Sequence, residues 1–294
     1  MNKIFVVAIM VCSMYAYGDS ASYPLTPDFN SAGKVEFTRV EGEGGQVLEG
    51  SLITHDGHRK NVPDTCKPEG GSAELVDAYT VKAKATYFLF TCAWPVQHSG
   101  IGLNGIQYDT YVYTGKNLAS IEKNKTFSQR LSGYEGSLEE GGISYAWYVT
   151  RKVAEQKLKE LEAGDAVDSL MMAHAIVLTR LKDGDYQAIQ HYLSSERIQQ
   201  LRTNFPVSKS TLIAYNDLGY ALGESNSNGL AYKILKEVET IAPDRVVLKI
   251  NIADVLWSSD KEESKRYYKE YVELMRKSGK SNLIPAEALE RSTY

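Results

Sequence analysis

Tyr215-Asn216-Asp217-Leu218-Gly219-Tyr220-Ala221-Leu222, followed by Ala231, Leu235 and Pro243, is the stretch on which the fold turns. Its spacing is that of two helices folded back on each other. Leu218-Gly219 marks the point of closest approach, where Gly admits a near backbone and Leu fills the seam. Ala231 faces that glycine from the second helix, where a larger side chain would push the pair open. Leu235, one turn on, plugs the same gap. Pro243, after Thr240-Ile241-Ala242, stops the second helix and sets the turn into the next.

With Tyr215 and Leu222 included, the pattern resembles one unit of the tetratricopeptide repeat family. The resemblance implies stacked helical hairpins, a scaffold whose usual work is holding other proteins, and it names no partner. One repeat further on, Ile252-Ala253 stands where Leu-Gly stood and Leu256 at the next seam position. Ser264, Tyr268 and Tyr271 take the small, bulky and small places, the last a departure from the family. One repeat back, Gly184-Asp185-Tyr186 precedes Ala188, with Tyr192 four residues later. One good unit and two degraded ones fit the rule that about three are needed and that end repeats are atypical.

The N-terminus reads as a bacterial secretory leader. Met1-Asn2-Lys3 gives a positive start and Ile4 to Met14 an apolar run too short to span a bilayer. Ala16-Tyr17-Gly18 is a small-x-small cleavage site, with a second cut available after Ser22. A periplasmic or secreted, soluble mature protein is expected, with no membrane span. Cysteine usage agrees: the mature chain keeps Cys66 and Cys92, which most simply pair in an oxidising compartment.

The N-terminal half alternates rather than spirals. Lys34 to Thr38 and Gln46 to Thr54 flank Glu41-Gly42-Glu43-Gly44-Gly45, a hairpin pattern. Val81 to Trp94 is one long β-rich run, Asn104-Gly105 a turn, and Ile106 to Tyr113 a further strand. Helical periodicity begins near Tyr145 to Thr150, where Val153, Leu158 and Leu161 form an apolar stripe. The expected fold is therefore α+β. After the leader at 1–18 come a disulfide-stapled, mostly antiparallel β domain at 19–148 and an all-α array of tetratricopeptide-like hairpins at 149–294.

Charge separates the halves. Asp19 to Thr150 carries 11 basic and 16 acidic residues, and Arg151 to Tyr294 carries 21 of each. That balance argues against nucleic acid, which needs a basic surface, and toward a protein partner of basic character.

Residues able to carry chemistry do not assemble into a recognisable site. His55-Asp56-Gly57-His58 places two histidines at a hairpin tip, but metal ligation needs partners from elsewhere. Gly100-Ile101-Gly102-Leu103-Asn104-Gly105 lacks the lysine of a phosphate loop and the helix of a dinucleotide fingerprint. Ser128, Ser132 and Ser137 sit in no nucleophile elbow. Glu139-Glu140 and Glu262-Glu263 are adjacent residues and do not face each other on a helix. No catalytic residue, cofactor or metal is expected.

Twenty tyrosines remain, and they cluster. Tyr111 and Tyr113 share one strand face with Asp109, while Tyr108 points to the other. With Trp94, these three are the candidate partner-binding residues, because tyrosine offers contact area with a polar tip. The expected function is a non-catalytic binding module, in its sharpest form an immunity-type inhibitor of an envelope-targeted toxin. The alternatives are a scaffold of an envelope assembly or secretion machine, and a carbohydrate-binding β domain stacking sugars on Trp94, Tyr111 or Tyr113.

Overall fold

The computed structural model describes residues 20–42, 45–68, 72–139, 141–165 and 167–293. The leader read at 1–18, the tip of the glycine-rich turn at 43–44 and Glu140 lie outside the described residues. The chain divides into two compact units, Met1–Ala146 and Trp147–Tyr294. The division falls just before the expected one because Trp147 and Tyr148 pack into the helical core.

The first unit holds two antiparallel sheets. Strands β1 (Ser20–Phe29), β2 (Ala32–Gly42), β3 (Gly45–Thr54) and β4 (Arg59–Cys66) form one sheet in sequence order. The hairpin expected across the glycine-rich turn is β2–β3, in register from Lys34↔Ile53 to Gly42↔Gly45. The second sheet contains β5 (Glu74–Lys82), β6 (Thr86–His98), β7 (Leu103–Gly115), β8 (Ile121–Lys123), β9 (Gly133–Ser137) and β10 (Ile143–Ser144), with α1 (Lys125–Leu131) between β8 and β9. Its order is β10-β9-β7-β6-β5, and β8 pairs with the far end of β7.

The two inner faces meet in one core. Phe37 lies 5.2 Å from Phe90 and Phe29 5.8 Å from Phe88, ring centre to ring centre. Leu52, Val62, Trp94 and Tyr113 complete it. Cys66 on β4 and Cys92 on β6 are joined by a disulfide, with Cα atoms 5.6 Å apart, so the bond ties one sheet to the other.

Two details correct the sequence reading. Val81 to Trp94 is two strands, because Ala83–Ala85 reverses the chain through an Ala83 N–H to Ala85 carbonyl bond of 2.8 Å. Asn104-Gly105 is no turn but the start of β7; the chain reverses earlier, at Ser99–Ile101, with Gly102 at φ 74°. Gly105 is required for another reason: a Cβ there would stand 2.3 Å from the Glu135 carbonyl of β9. Glycine inside a strand here marks a close backbone approach.

One edge of β7 has three different neighbours. It pairs with β9 over Asn104–Tyr108 and with β8 over Tyr113–Gly115. Between them Ser128 of α1 and Ser132, the residue that follows the helix, take the place of a strand. Ser132 Oγ accepts from Thr110 N–H at 2.9 Å, and Ser128 Oγ accepts from Val112 N–H at 3.0 Å. Each hydroxyl donates in turn to a carbonyl one helical turn back, Ser132 to Ser128 and Ser128 to Asn124, both at 2.8 Å.

The second unit is helical: α2 (Arg151–Ala163), α3 (Leu170–Lys182), α4 (Tyr186–Tyr192), α5 (Ser195–Asn204), α6 (Leu212–Glu224), α7 (Asn228–Ile241), α8 (Val246–Leu256), α9 (Lys261–Lys277) and α10 (Ala286–Thr293). Helices α3 and α4, α6 and α7, and α8 and α9 pack as consecutive pairs, and α3, α6 and α8 lie side by side. The starts of α6 and α8 are 34 residues apart and those of α3 and α6 are 42 apart, the longer interval accommodating α5.

The seam residues behave as their sizes require. A Cβ on Gly219 would meet Leu235 Cδ2 at 2.6 Å. Leu218, Leu222, Ala231 and Leu235 are fully buried, and Tyr215, itself buried, donates its hydroxyl to the Phe205 carbonyl at 2.6 Å. Pro243 lies in the turn between α7 and α8, exposed. In the next pair Ser264 donates to the Ala253 carbonyl at 2.7 Å, so the small place holds a hydrogen bond between the two helices.

Candidate functional site

The strand aromatics are mostly committed to the core. Tyr113 is wholly buried and Trp94 is 6% exposed, because both lie on the inner face between the sheets. That corrects their assignment to an outward docking patch. The Tyr113 hydroxyl donates to Asp64, and burial with that carboxylate beside it pushes the phenol far above its ordinary range. Tyr111 is half-buried, with Phe90 stacked on its ring at 4.7 Å and the Lys123 ammonium 4.5 Å from its centre. Burial, with Asp109 and Asp64 nearby, raises it to about 12. Both contacts occupy the ring that a sugar would stack against. Tyr108, on the opposite face, is half-buried.

The other candidates have local duties. His55, at the β3–β4 tip, pairs with Asp28 at 2.8 Å. Ser137 donates to the Gly102 carbonyl at 2.7 Å. Glu262 and Glu263 pair with Lys265 and Arg266 along α9. Among the described residues no group of three or more metal-ligating side chains stands together, and no helix is long and apolar enough to cross a membrane.

The helical unit keeps an uncovered face. Residues two, five or six, and nine of a helix lie on one side of it. On α6 these are Ile213, Asn216, Asp217 and Tyr220; on α8 they are Val247, Asn251 and Asp254; on α3, Met171 and His174. Met171, Ile213 and Val247, each the second residue of its helix, are 60%, 57% and 50% exposed, which is unusual for large apolar side chains set at one repeating place.

Beside them runs a polar line joining the three helices. His174 Nε2 lies 2.9 Å from Asp217 Oδ2, and Asn216 Nδ2 donates to Asp217 Oδ1 at 3.2 Å. Asn251 Nδ2 donates to Asn216 Oδ1 at 3.4 Å. Past that line the face opens into a cavity of about 280 Å³, whose lining includes Tyr220, Glu224, Asn251, Asp254, Trp257 and Arg291. Asp254 accepts from the Tyr268 hydroxyl, yet desolvation leaves its carboxyl above the usual carboxylate range, with Glu287 and Glu224 adding to the effect.

Sequence reading singled out the seam of this hairpin but not its open face. The signal was present in the repeat: Ile213 and Val247 are 34 residues apart, as are Tyr220 and Asp254.

Two ionic clusters stabilise the same unit without reaching this face. Asp168, buried, accepts from Lys157 at 2.7 Å, Tyr192 at 2.7 Å and Tyr148 at 2.9 Å. Burial opposes its charge, but these donors prevail and hold its pKa down. Glu239 accepts from Lys236, from Lys249 at 2.8 Å and from Tyr267 at 2.9 Å. Desolvation again works against the charge, and the three donors hold it at about 2.

A scan against protein-family models finds no match to this chain, and a search of curated proteins finds none either.

Proposed function

We propose that this protein is a periplasmic or secreted binding module, without catalytic chemistry of its own, that holds a protein partner on the open face of α3, α6 and α8. The observation that carries the reading is repetition. Three packed helices each present an apolar side chain at the second place, beside a hydrogen-bonded polar line. An apolar strip with a polar margin is the composition of a protein interface. The tetratricopeptide-like spacing from Tyr215 to Pro243 supports the same class of activity.

In its sharpest form the module is an immunity-type inhibitor that caps an envelope-targeted toxin. Such a protein needs a stable frame and a complementary surface. The leader-like N-terminus and the Cys66–Cys92 disulfide suit an oxidising compartment outside the cytoplasm. The exposed helical face suits a scaffold of an envelope assembly equally well, and the identity of the captured partner separates the two.

The test is affinity capture on the immobilised full chain, with the purified product of the neighbouring gene and a periplasmic extract as separate inputs. The wild-type chain retains a partner, and the double variant Ile213→Glu, Val247→Glu loses it. Retention of nothing by the wild type, or equal retention by the variant, overturns the reading.

A further inference from the structure

Resting on the exported location in that reading and not on the helical face, we infer that Asn124 is an acceptor for an N-linked glycan, supplied by a lipid-linked oligosaccharide. Asn124-Lys125-Thr126 is the only Asn-x-Ser/Thr triplet in the chain. Glu122 extends it to acid-x-Asn-x-Thr, the stricter form that bacterial oligosaccharyltransferases accept, in which the carboxylate pairs with a base in the enzyme's peptide groove.

Such a triplet also arises by chance, so its place in the fold decides whether it can react. That place is open. Strand β8 pairs with β7 alone and ends the sheet there, and α1 begins just after it. Glu122, Lys123, Lys125 and Thr126 are exposed, and Asn124, between strand and helix, is half-buried. The side chains of Glu122 and Thr126 make no hydrogen bond or ion pair with any described residue, so a transferase can engage both.

The two ends of the Asn124 amide have different duties. Its Oδ1 accepts from Phe127 N–H at 3.0 Å and caps α1. Its Nδ2 donates to no described residue and is not among the enclosed unpartnered atoms. The backbone is held on both sides: Asn124 N–H donates to the Val112 carbonyl at 2.8 Å, and the Asn124 carbonyl accepts from Ser128 N–H at 2.9 Å and from Ser128 Oγ at 2.8 Å. The fold thus fixes the oxygen side of the amide and leaves the nitrogen uncommitted.

In the reaction Asn124 Nδ2 attacks the anomeric carbon of a glycan carried on a polyprenyl diphosphate. The C–N bond forms as the anomeric C–O bond breaks; the diphosphate leaves with the electron pair and the amide proton passes to a base of the transferase. The Thr126 hydroxyl is the hydrogen-bonding handle by which the enzyme holds the triplet. The product is still an amide, so its oxygen continues to cap α1 and the helix keeps its start. A glycan rooted there covers the outer edge of β8, where the sheet ends.

The experiment incubates the purified, folded full chain with a single-subunit bacterial oligosaccharyltransferase and its lipid-linked oligosaccharide, and reads the intact mass. The wild type gains the mass of one glycan, which fragmentation places on Asn124. Asn124→Asp, which keeps a capping oxygen, and Thr126→Ala, which keeps both the cap and the acceptor amide, gain nothing. Glu122→Gln gains less in the same time. An unchanged wild type in a mixture that converts a control acceptor peptide, a gain in Asn124→Asp or Thr126→Ala, or an equal gain in Glu122→Gln overturns the inference. Because chain and transferase meet directly, the result does not depend on export or on partner capture. A glycosylated chain that captures no partner overturns the binding reading alone, and an unmodified chain that captures one overturns the glycan site alone.

Discussion

In the β unit the large aromatic side chains turn inward. Phe37, Phe88, Phe90, Trp94 and Tyr113 fill the space between two sheets, the Tyr111 ring is contacted by Phe90 and Lys123, and a disulfide closes the arrangement. In the helical unit Tyr215, Tyr267 and Tyr268 are equally buried, yet large apolar residues stand out in the water at one repeating place. The reason lies in how each architecture uses a strip of side chains. A two-sheet core absorbs one whole face of every strand. A helix in a paired array packs only the sides that meet its neighbours, so its remaining side is free to vary. Exposed and core-forming large side chains are thus segregated by face on the helices.

The two units are also fastened differently, and that contrast can be broken by experiment on the full chain, with hydrogen exchange reporting each unit separately. The largest effect is expected from Asp168→Ala. It strands the Lys157 ammonium in the interior and costs about 3–5 kcal/mol. Protection should fall across the helices and stay unchanged across β1 to β10; a uniform loss would show that the two units unfold as one.

The reverse experiment acts on the sheets. Replacing Cys66 and Cys92 by alanine should destabilise the β unit by about 3–4 kcal/mol in the chain-entropy model, while the helical unit keeps its protection. Undiminished protection in β4 and β6 would show that the aromatic core alone holds the sheets together.

The smallest effect is set by pH. Glu239 is held at about 2 in the folded chain against an ordinary value of 4.5. Its stabilising contribution is therefore complete above about pH 4.5 and is lost as the pH falls through about 2, amounting to on the order of 1–3 kcal/mol. Glu239→Gln should flatten the helical unit's acid response between those limits. The same slope in the variant would assign that response to other carboxylates.

Much of this architecture was legible beforehand. The glycine-rich tip between β2 and β3, the Cys66–Cys92 pairing and the tight seam at Gly219 each follow from residue types that allow few alternatives. The turn at Ala83–Ala85 carried no glycine, proline or asparagine and so passed for strand. Asn104-Gly105 carried a strong turn signal whose real cause was the Glu135 carbonyl pressing on β7, a contact set by a chain segment some thirty residues away. The tyrosines of β7 could be assigned to faces by alternation, but alternation does not say which face meets the opposing sheet. The open helical face was hidden for the opposite reason: Ile213, Tyr220, Val247 and Asp254 read singly as ordinary surface residues, and gain meaning only when overlaid at the repeat interval.

The serines that finish the edge of β7 have a consequence for the protein in a crowded compartment. A strand whose middle amides are already capped by Ser128 and Ser132 offers no template there for the strand of another molecule, so a gap in the sheet that would invite intermolecular pairing is closed by two hydroxyl groups. Loss of either serine would leave a buried amide of that strand without its acceptor, at a cost of about 1–3 kcal/mol.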